Sequence, residues 1–188
     1  MIIIGITGTI GAGKGAIVEY LTGQKGFRHF SVRDFLKKEI ERRNIPVGRD
    51  SMMQTANELR ASHSPSFIVD QLYEQAKKSG KDCIIESIRT PGEIESLRRK
   101  GKFILIAADA DPKVRYERIK RRNSETDRIS YNTFLENEQR EMTSTDPNKQ
   151  NLSRCIAEAD YVVRNNGSLE NLYEQVEKII QSIKNQIG

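Results

Sequence analysis

The chain has 188 residues, 36% of them hydrophobic, with 31 Lys and Arg against 26 Asp and Glu for a net charge of +5. That composition suits one α/β domain with a sizeable core, and no run approaches the roughly 20 apolar residues that cross a bilayer as a helix, so no membrane-spanning helix and a cytoplasmic location are expected. The positive balance favours an anionic partner, but the basic residues are interspersed with Asp and Glu and no aromatic platform appears, which argues against a nucleic-acid-binding module.

A β-branched apolar run from Ile2 reads as a buried strand and passes directly into Gly8-x-x-x-x-Gly13-Lys14, after which Ile17, Val18 and Leu21 follow at helical spacing. Strand, glycine-rich loop and helix in that order predict a phosphate-binding loop. Its N–H groups point into one concavity, the helix offers its positive end, and Lys14 adds an ammonium that reaches the β- and γ-phosphates. Nucleotide contacts are therefore expected along Gly8, Thr9, Ile10, Gly11, Ala12, Gly13, Lys14, Gly15 and Ala16. One position is abnormal. The residue after the lysine normally carries a hydroxyl for Mg²⁺, and here Gly15 and Ala16 supply none. A bound metal then depends on phosphate oxygens, water and carboxylates from elsewhere.

The loop helix is expected to end near Gly23, and Phe27 to Val32 reads as a second strand. Phe35, Leu36 and Ile40 then carry helical spacing, with Arg33 and Asp34 at the strand-to-helix junction, the ligand end of an open parallel sheet. Asp34 is either a site carboxylate or a helix-start residue favouring the dipole. Residues 44–50, with Pro46 and Gly48, read as a loop; Met52 to Leu59 reads as a helix, and Ser64-Pro65 as the cap and first-turn proline of another reaching Lys78. Residues 35–80 thus form a helical insertion between the second and third strands, placed to cover the acceptor side. Arg60 is its most interesting cation, with a solvated helix face as the alternative.

Asp82 to Glu86 is a short apolar strand ending in an acid, the usual second half of a P-loop metal site, which makes Glu86 the first candidate for the missing metal support. Thr90, Pro91 and Glu93 spell a capping box with proline at the first helical position, so Arg89 falls just before a helix on the same edge. A buried Arg–carboxylate pair is the alternative for both. Lys102 to Ala108 is the fourth strand, and Asp111-Pro112 opens a helix on which Arg115, Arg118 and Arg122 share a face. Arg118 and Arg122, four apart, can converge on one anion. Residues 123–146, including Arg128, are polar and suit a mobile, lid-like covering segment with a short helix. Asp160 to Arg164 is the fifth strand, Asn165-Asn166-Gly167 a turn, and Ser168 the cap of a last helix patterned by Leu172, Val176, Ile179, Ile180 and Ile183. Cys83 and Cys155 lack metal-type spacing and read as reduced structural thiols, while His29 and His63 read as ordinary polar side chains. With no repeat or linker, this is one domain with two insertions.

These motifs together resemble the nucleotide-kinase group of P-loop proteins, which includes adenylate kinase and dephospho-coenzyme A kinase, over nearly the whole chain. Ile-Thr-Gly-Thr-Ile-Gly-Ala-Gly-Lys (6–14) is similar to the dephospho-coenzyme A kinase loop, and Lys14-Gly15 to that of adenylate kinase, where Thr normally follows. Ser31-Val-Arg-Asp34-Phe-Leu resembles the adenylate kinase acceptor-side Ser-Thr-Gly-Asp-Leu-Leu. Glu86-Ser-Ile-Arg89-Thr resembles their Asp-Gly-Phe-Pro-Arg-Thr, and Arg118-Ile-x-x-Arg122 their pair at the lid hinge. The strand and turn through Asp160 and Asn166 look more like those of dephospho-coenzyme A kinases, where the turn lies near the adenine. Ala-Asn-Glu-Leu-Arg60 and Ile-Arg-Thr-Pro-Gly-Glu-Ile-Glu (88–95) are most similar to an uncharacterised kinase-like branch. Ala16, Glu in place of Asp at 86 and a lid too short for a zinc-bearing adenylate kinase are departures.

The resemblance implies an α/β P-loop NTPase fold, three layers α/β/α around a five-stranded parallel sheet of order 2-3-1-4-5. It implies ATP and Mg²⁺ as cofactors and a small nucleotide-like acceptor, first a nucleoside or deoxynucleoside monophosphate. Lys14 would hold the donor phosphates and Glu86, with Asp34, the waters of the metal; Arg89, Arg118 and Arg122 would meet phosphoryl groups, and Asn166 would lie by the base. If the acceptor attacks through a ribose hydroxyl, as in dephospho-coenzyme A kinase, Asp34 is the expected base. A different class of reading is a nucleotide-binding regulator with weak or no transfer, motivated by Ala16.

Overall fold

The computed structural model of the chain describes residues 1–122 and 128–187. β1 (Ile3–Gly8) is buried at every position, because it is the middle strand: it pairs in parallel with β3 (Cys83–Glu86) on one side and β4 (Phe103–Asp109) on the other. β2 (Arg28–Ser31) adds beyond β3 and β5 (Tyr161–Arg164) beyond β4, giving the expected order β2-β3-β1-β4-β5, all parallel. Alternate residues of β1 serve opposite layers, as the two-residue period of a strand requires. Ile4 and Ile6 pack with α1 (Lys14–Lys25) and α9 (Leu169–Ile187) through Ile17, Leu21, Val176 and Ile180. Ile3 belongs to the other core, with Leu36, Ile68, Leu72, Ile94 and Leu97.

The second core is built by helices, two of which also wall the site. Between β2 and β3 lie α2 (Val32–Arg42), α3 (Arg49–Ser62) and α4 (Phe67–Ser79), and after β3 comes α5 (Pro91–Lys100). The expected helical insertion is thus three helices, α3 beginning inside the stretch read as a loop. Ser64-Pro65 does not cap α4: Pro65 sits in a turn, Phe67 N–H donates to Ser64 O, and Ser66 is the residue preceding the helix, its hydroxyl donating to Asp70 at 2.7 Å. The first helix runs past Gly23 to Lys25 and stops at Gly26, whose φ of 71° is left-handed. Strand β2 gives way at Val32, because the Ser31 hydroxyl already accepts the Asp34 N–H and starts α2. The capping box of α5 is as expected, with Thr90 accepting from Glu93 N–H and Glu93 accepting from Thr90 N–H.

After β4 follow α6 (Pro112–Arg122), α7 (Tyr131–Met142) and α8 (Leu152–Ala157). Residues 123–127 of the lid-like segment lie outside the described residues; the rest carries α7, whose fully buried Phe134, with Tyr131 of the same helix beside it, docks against Tyr116 of α6. The short helix α8 had no recognisable signal in the sequence. No helix among the described residues is long and apolar enough to cross a membrane.

Candidate functional site

The C-terminal edge of the sheet opens onto a cavity of about 950 Å³ walled by the glycine-rich loop, α2, α3, the end of β3, α6 and α7. The loop is fixed by backbone conformations that favour glycine. Gly13 has φ 99°, and a Cβ there would sit 2.0 Å from Asn165 Nδ2; that amide donates to Ala12 O at 3.0 Å and so holds the loop from β5. Gly8 has φ 133° and approaches Ala108 O so closely that a Cβ would fall 2.2 Å from it. Gly15 differs, since nothing lies within 4 Å of where its Cβ would be. The Thr9 hydroxyl is buried without a hydrogen-bond partner among the described residues.

Lys14 folds its ammonium back onto Gly8 O and Thr9 O, both at 2.8 Å. Burial lowers its pKa to about 7, helped by the positive charges of Arg89 and Arg122 and opposed by Glu86 and Glu141. Glu86, at the end of β3, lies 3.7 Å from His29 Nε2 and accepts from the Ser31 hydroxyl at 3.4 Å. Burial works to raise its pKa, but His29, Lys14 and Ser31 outweigh that and hold the carboxyl below its ordinary value. His29 is therefore more than an ordinary polar side chain. Directly after Glu86 the chain turns through Ser87 at φ 66°, a conformation costly for a non-glycine residue. The turn lets Ile88 N–H donate to Ile6 O at 3.0 Å while Thr7 Oγ1 donates to Ile88 O at 2.8 Å.

Asp34 lines the cavity from the first turn of α2, exposed, with no side-chain partner among the described residues. Arg89 donates to Glu141 Oε2 at 2.8 Å and to Gln150 Oε1 at 3.2 Å. Arg118 donates through NH2 to Asn165 Oδ1 at 3.2 Å, while its NH1 is buried without a partner among the described residues. Arg118 and Arg122 both face the cavity. Arg115, grouped with them by spacing, does not line it. It is buried and donates to Ala110 O and Ile10 O at 2.7 and 3.3 Å and to both oxygens of Glu138 on α7, so it braces the loop from behind.

The structure thus brings Ile10, Gly11, Gly13, Lys14, Gly15, Ala16, Asp34, Glu86, Arg89, Arg118 and Arg122 onto one cavity. Gly8, Thr9 and Ala12 shape the loop beneath it. Asn166 stands apart: it is exposed, and its Oδ1 accepts the Asp111 N–H at 2.8 Å, tying the turn to the start of α6. Its neighbour Asn165 is the residue that reaches the loop. Strand alternation carried one step beyond the buried Val163 points to it. Arg60 is not on a solvated face. It is 2% exposed and donates through Nε and NH2 to Glu93 Oε1 at 3.2 and 2.9 Å.

For a metal, no group of three or more His, Cys, Asp or Glu comes together among the described residues. The carboxylates of Glu86 and Asp34 beside the loop fit Mg²⁺ carried by phosphate oxygens and held through water, the way this ion is bound in ATP-using sites, and do not fit an all-protein cage.

The AAA domain family matches residues 4–144. A UPF0200 protein of Methanocaldococcus jannaschii is 30% identical over 190 residues, covering 100% of this chain and 93% of its own. Among solved structures, TT1252 from Thermus thermophilus aligns with a TM-score of 0.64 at 20% identity over 96% of both chains. The dephospho-CoA kinase from Campylobacter jejuni aligns with a TM-score of 0.58 at 15% identity, over 99% of this chain and 98% of that one. At such identities the likeness speaks for the fold. Given its sheet order, its glycine-rich loop and an end-to-end match to a relative, this chain is a UPF0200 protein of the AAA domain family with the fold of P-loop kinases.

Proposed function

We propose that this protein is an ATP-dependent phosphotransferase acting on a small nucleotide-type acceptor, a nucleoside or deoxynucleoside monophosphate. The observation that carries the reading is the convergence of Lys14, Arg89, Arg118 and Arg122 with Asp34 and Glu86 on one cavity next to the loop. Phosphoryl transfer asks a protein mainly for positioning and charge neutralisation, and this set supplies both. The loop amides and Lys14 bind the β- and γ-phosphates of the donor. Glu86 and Asp34 would hold Mg²⁺ through its waters, and the ion would supply charge neutralisation at the phosphates. Arg118 and Arg122 approach the γ-phosphoryl group from α6, so charge spread over its equatorial oxygens meets planar donors. α2 and α3 cover the acceptor side, with α4 packed against them, and α7 serves as a lid.

A phosphate acceptor needs no general base. Asp34 supports a second reading, transfer to a ribose hydroxyl, because its carboxylate faces the cavity with no side-chain partner among the described residues to occupy it. The deciding experiment measures phosphate transfer from ATP to a panel of nucleoside and deoxynucleoside monophosphates and dephospho-coenzyme A, with Lys14→Ala and Asp34→Asn as variants. Lys14→Ala should lose roughly 10²- to 10³-fold in rate with any acceptor. Asp34→Asn should cost a hydroxyl acceptor roughly 10²- to 10⁴-fold and a phosphate acceptor less. Nucleotide binding with no transfer to any acceptor would instead make the protein a nucleotide-dependent regulator.

A further inference from the structure

On the acceptor side the cavity holds a carboxylate that no step of the transfer uses. Glu141 projects from α7, 10% exposed, and each of its oxygens takes a different guanidinium: Oε1 accepts from Arg49 at 2.6 Å and Oε2 from Arg89 at 2.8 Å. The two arginines come from distant parts of the chain, the start of α3 and the segment after β3. A third guanidinium, Arg60, lines the same cavity. Its Nε and NH2 are held by Glu93 Oε1, while its buried NH1 has no partner among the described residues. Glu93 fixes the pair of sites relative to each other, because its second oxygen accepts the N–H groups of Arg89 at 2.7 Å and Thr90 at 3.1 Å. The wall beside these arginines is apolar, made by Val32, Leu36, Met52, Met53 and Ala56.

Two arginines donating to the two oxygens of one anion form a charge-assisted clamp of the kind that recognises carboxylates and phosphates. Here the protein itself occupies the clamp. We propose that Glu141 is an internal stand-in for the acceptor's anionic group: the acceptor is a phosphate monoester with an apolar body, and its phosphate replaces Glu141 on Arg49 and Arg89 and takes the spare NH1 of Arg60. A carboxylate brings two oxygens and one charge, and Glu141 already provides those while leaving Arg60 unserved. A phosphate ester brings three free oxygens and nearly two charges, one oxygen for each guanidinium. The carboxylate of Glu141 thereby sets a threshold, since a ligand with a weaker anion does not displace it. This inference rests on the kinase reading only for the name acceptor; the clamp stands on its own contacts.

The experiment is a calorimetric titration of glycerol phosphate, with acetate as the carboxylate control, into protein already saturated with a non-hydrolysable ATP analogue so that the glycine-rich loop is filled. Glu141→Gln removes the competing charge and should bind glycerol phosphate about tenfold more tightly than the parent, while Arg49→Gln should bind it about tenfold more weakly. Acetate should not bind measurably to any of the three. Equal or weaker binding by a folded Glu141→Gln, or binding indifferent to Arg49→Gln, overturns the proposal. Acetate binding as well as glycerol phosphate overturns the phosphate assignment. Should Glu141→Gln fail to fold, Arg49→Gln decides, because that arginine is a quarter exposed at the cavity rim. Failure of the analogue itself to bind the parent counts against the donor site alone, and the same titrations without it still decide the clamp through Arg49.

Discussion

Lys14 offers the most quantitative test, because its charge state in the free protein differs from the one a nucleotide complex demands. Its amine is held at a pKa of about 7 by burial, then by Arg89 and Arg122, whereas phosphate oxygens beside it favour the ammonium and return it toward the ordinary lysine value near 10. At pH 8 the free amine is therefore about 10% charged and the bound one fully charged, so nucleotide binding should take up about 0.9 proton. At pH 6 the uptake should fall to about 0.1. Calorimetry in two buffers of different ionisation enthalpy reads this directly, since at pH 8 the nucleotide's own phosphates are already ionised. Affinity should weaken about tenfold per pH unit above 7 and level off below it. The sign for stability is opposite to that of a salt-bridged lysine. The folded pKa lies below the unfolded one, so the unfolded chain binds the extra proton between pH 7 and 10.5 and the free protein gains stability as pH rises through that window. Below pH 7 the cost is complete, about 4–5 kcal/mol for this shift, and Lys14→Met should relieve it. No proton uptake at pH 8, or uptake that survives Lys14→Met, would refute the reasoning.

Glu93→Ala strands the buried guanidinium of Arg60 and should destabilise the protein by about 3–5 kcal/mol; a thermal or denaturant melt showing less than 1 kcal/mol, on the order of one ordinary hydrogen bond, would mean that Arg60 finds another partner. Arg118→Lys keeps the charge but loses the fork that reaches Asn165 and the cavity, so turnover should fall more than nucleotide affinity; unchanged turnover would make it a structural residue. Gly15→Ser places a hydroxyl where nothing lies within 4 Å, and should add about 0.5 kcal/mol of helix stability while lowering the Mg²⁺ concentration needed for half-maximal ATP binding. An unchanged Mg²⁺ titration would show that the hydroxyl does not reach the metal. The Cys155 thiol is pushed up to about 12, chiefly by burial with help from Glu93 and Glu158, and Cys83 is raised too, again chiefly by burial; neither should react with a thiol reagent at pH 8 until the chain unfolds, and a fast native reaction would contradict that burial.

What the sequence made legible follows from range. The strand, loop and helix around Gly8 and Lys14 are contiguous, so composition and spacing identify them together, and the capping box at Thr90 and Glu93 is a three-residue signal. The second role of Glu93, as partner of Arg60 33 residues away, has no local signature, and neither does the meeting of Arg49, Arg89 and Glu141. Helical spacing placed Arg115 with Arg118 and Arg122, and Arg122, seven residues on, does come back to nearly the direction of Arg115, so angle alone does not separate them. Arg115 lies about a turn or two nearer the start of α6, beside Ala110 and Ile10, and meets the back of the loop, while Arg118 and Arg122 reach the cavity. The turn after β5 is sensitive to phase instead: Asn165 and Asn166 are identical side chains on adjacent residues, and only the one in phase with the buried Val163 meets Ala12.

The position of β1 has a consequence for how the protein is made. It is synthesised well ahead of the strands it pairs with, which put Cys83 and Phe103 opposite Ile3. Until β3 has emerged this apolar, β-branched strand has both edges unpaired, and until β4 has emerged it still has one, the kind of segment that aggregates when left waiting. Sequence-distant pairing of this sort also slows folding, since loop closure comes before any compensating contact. Truncated nascent chains ending before β4 should therefore be the aggregation-prone species, and chaperone dependence during synthesis should fall sharply once the chain passes Asp109.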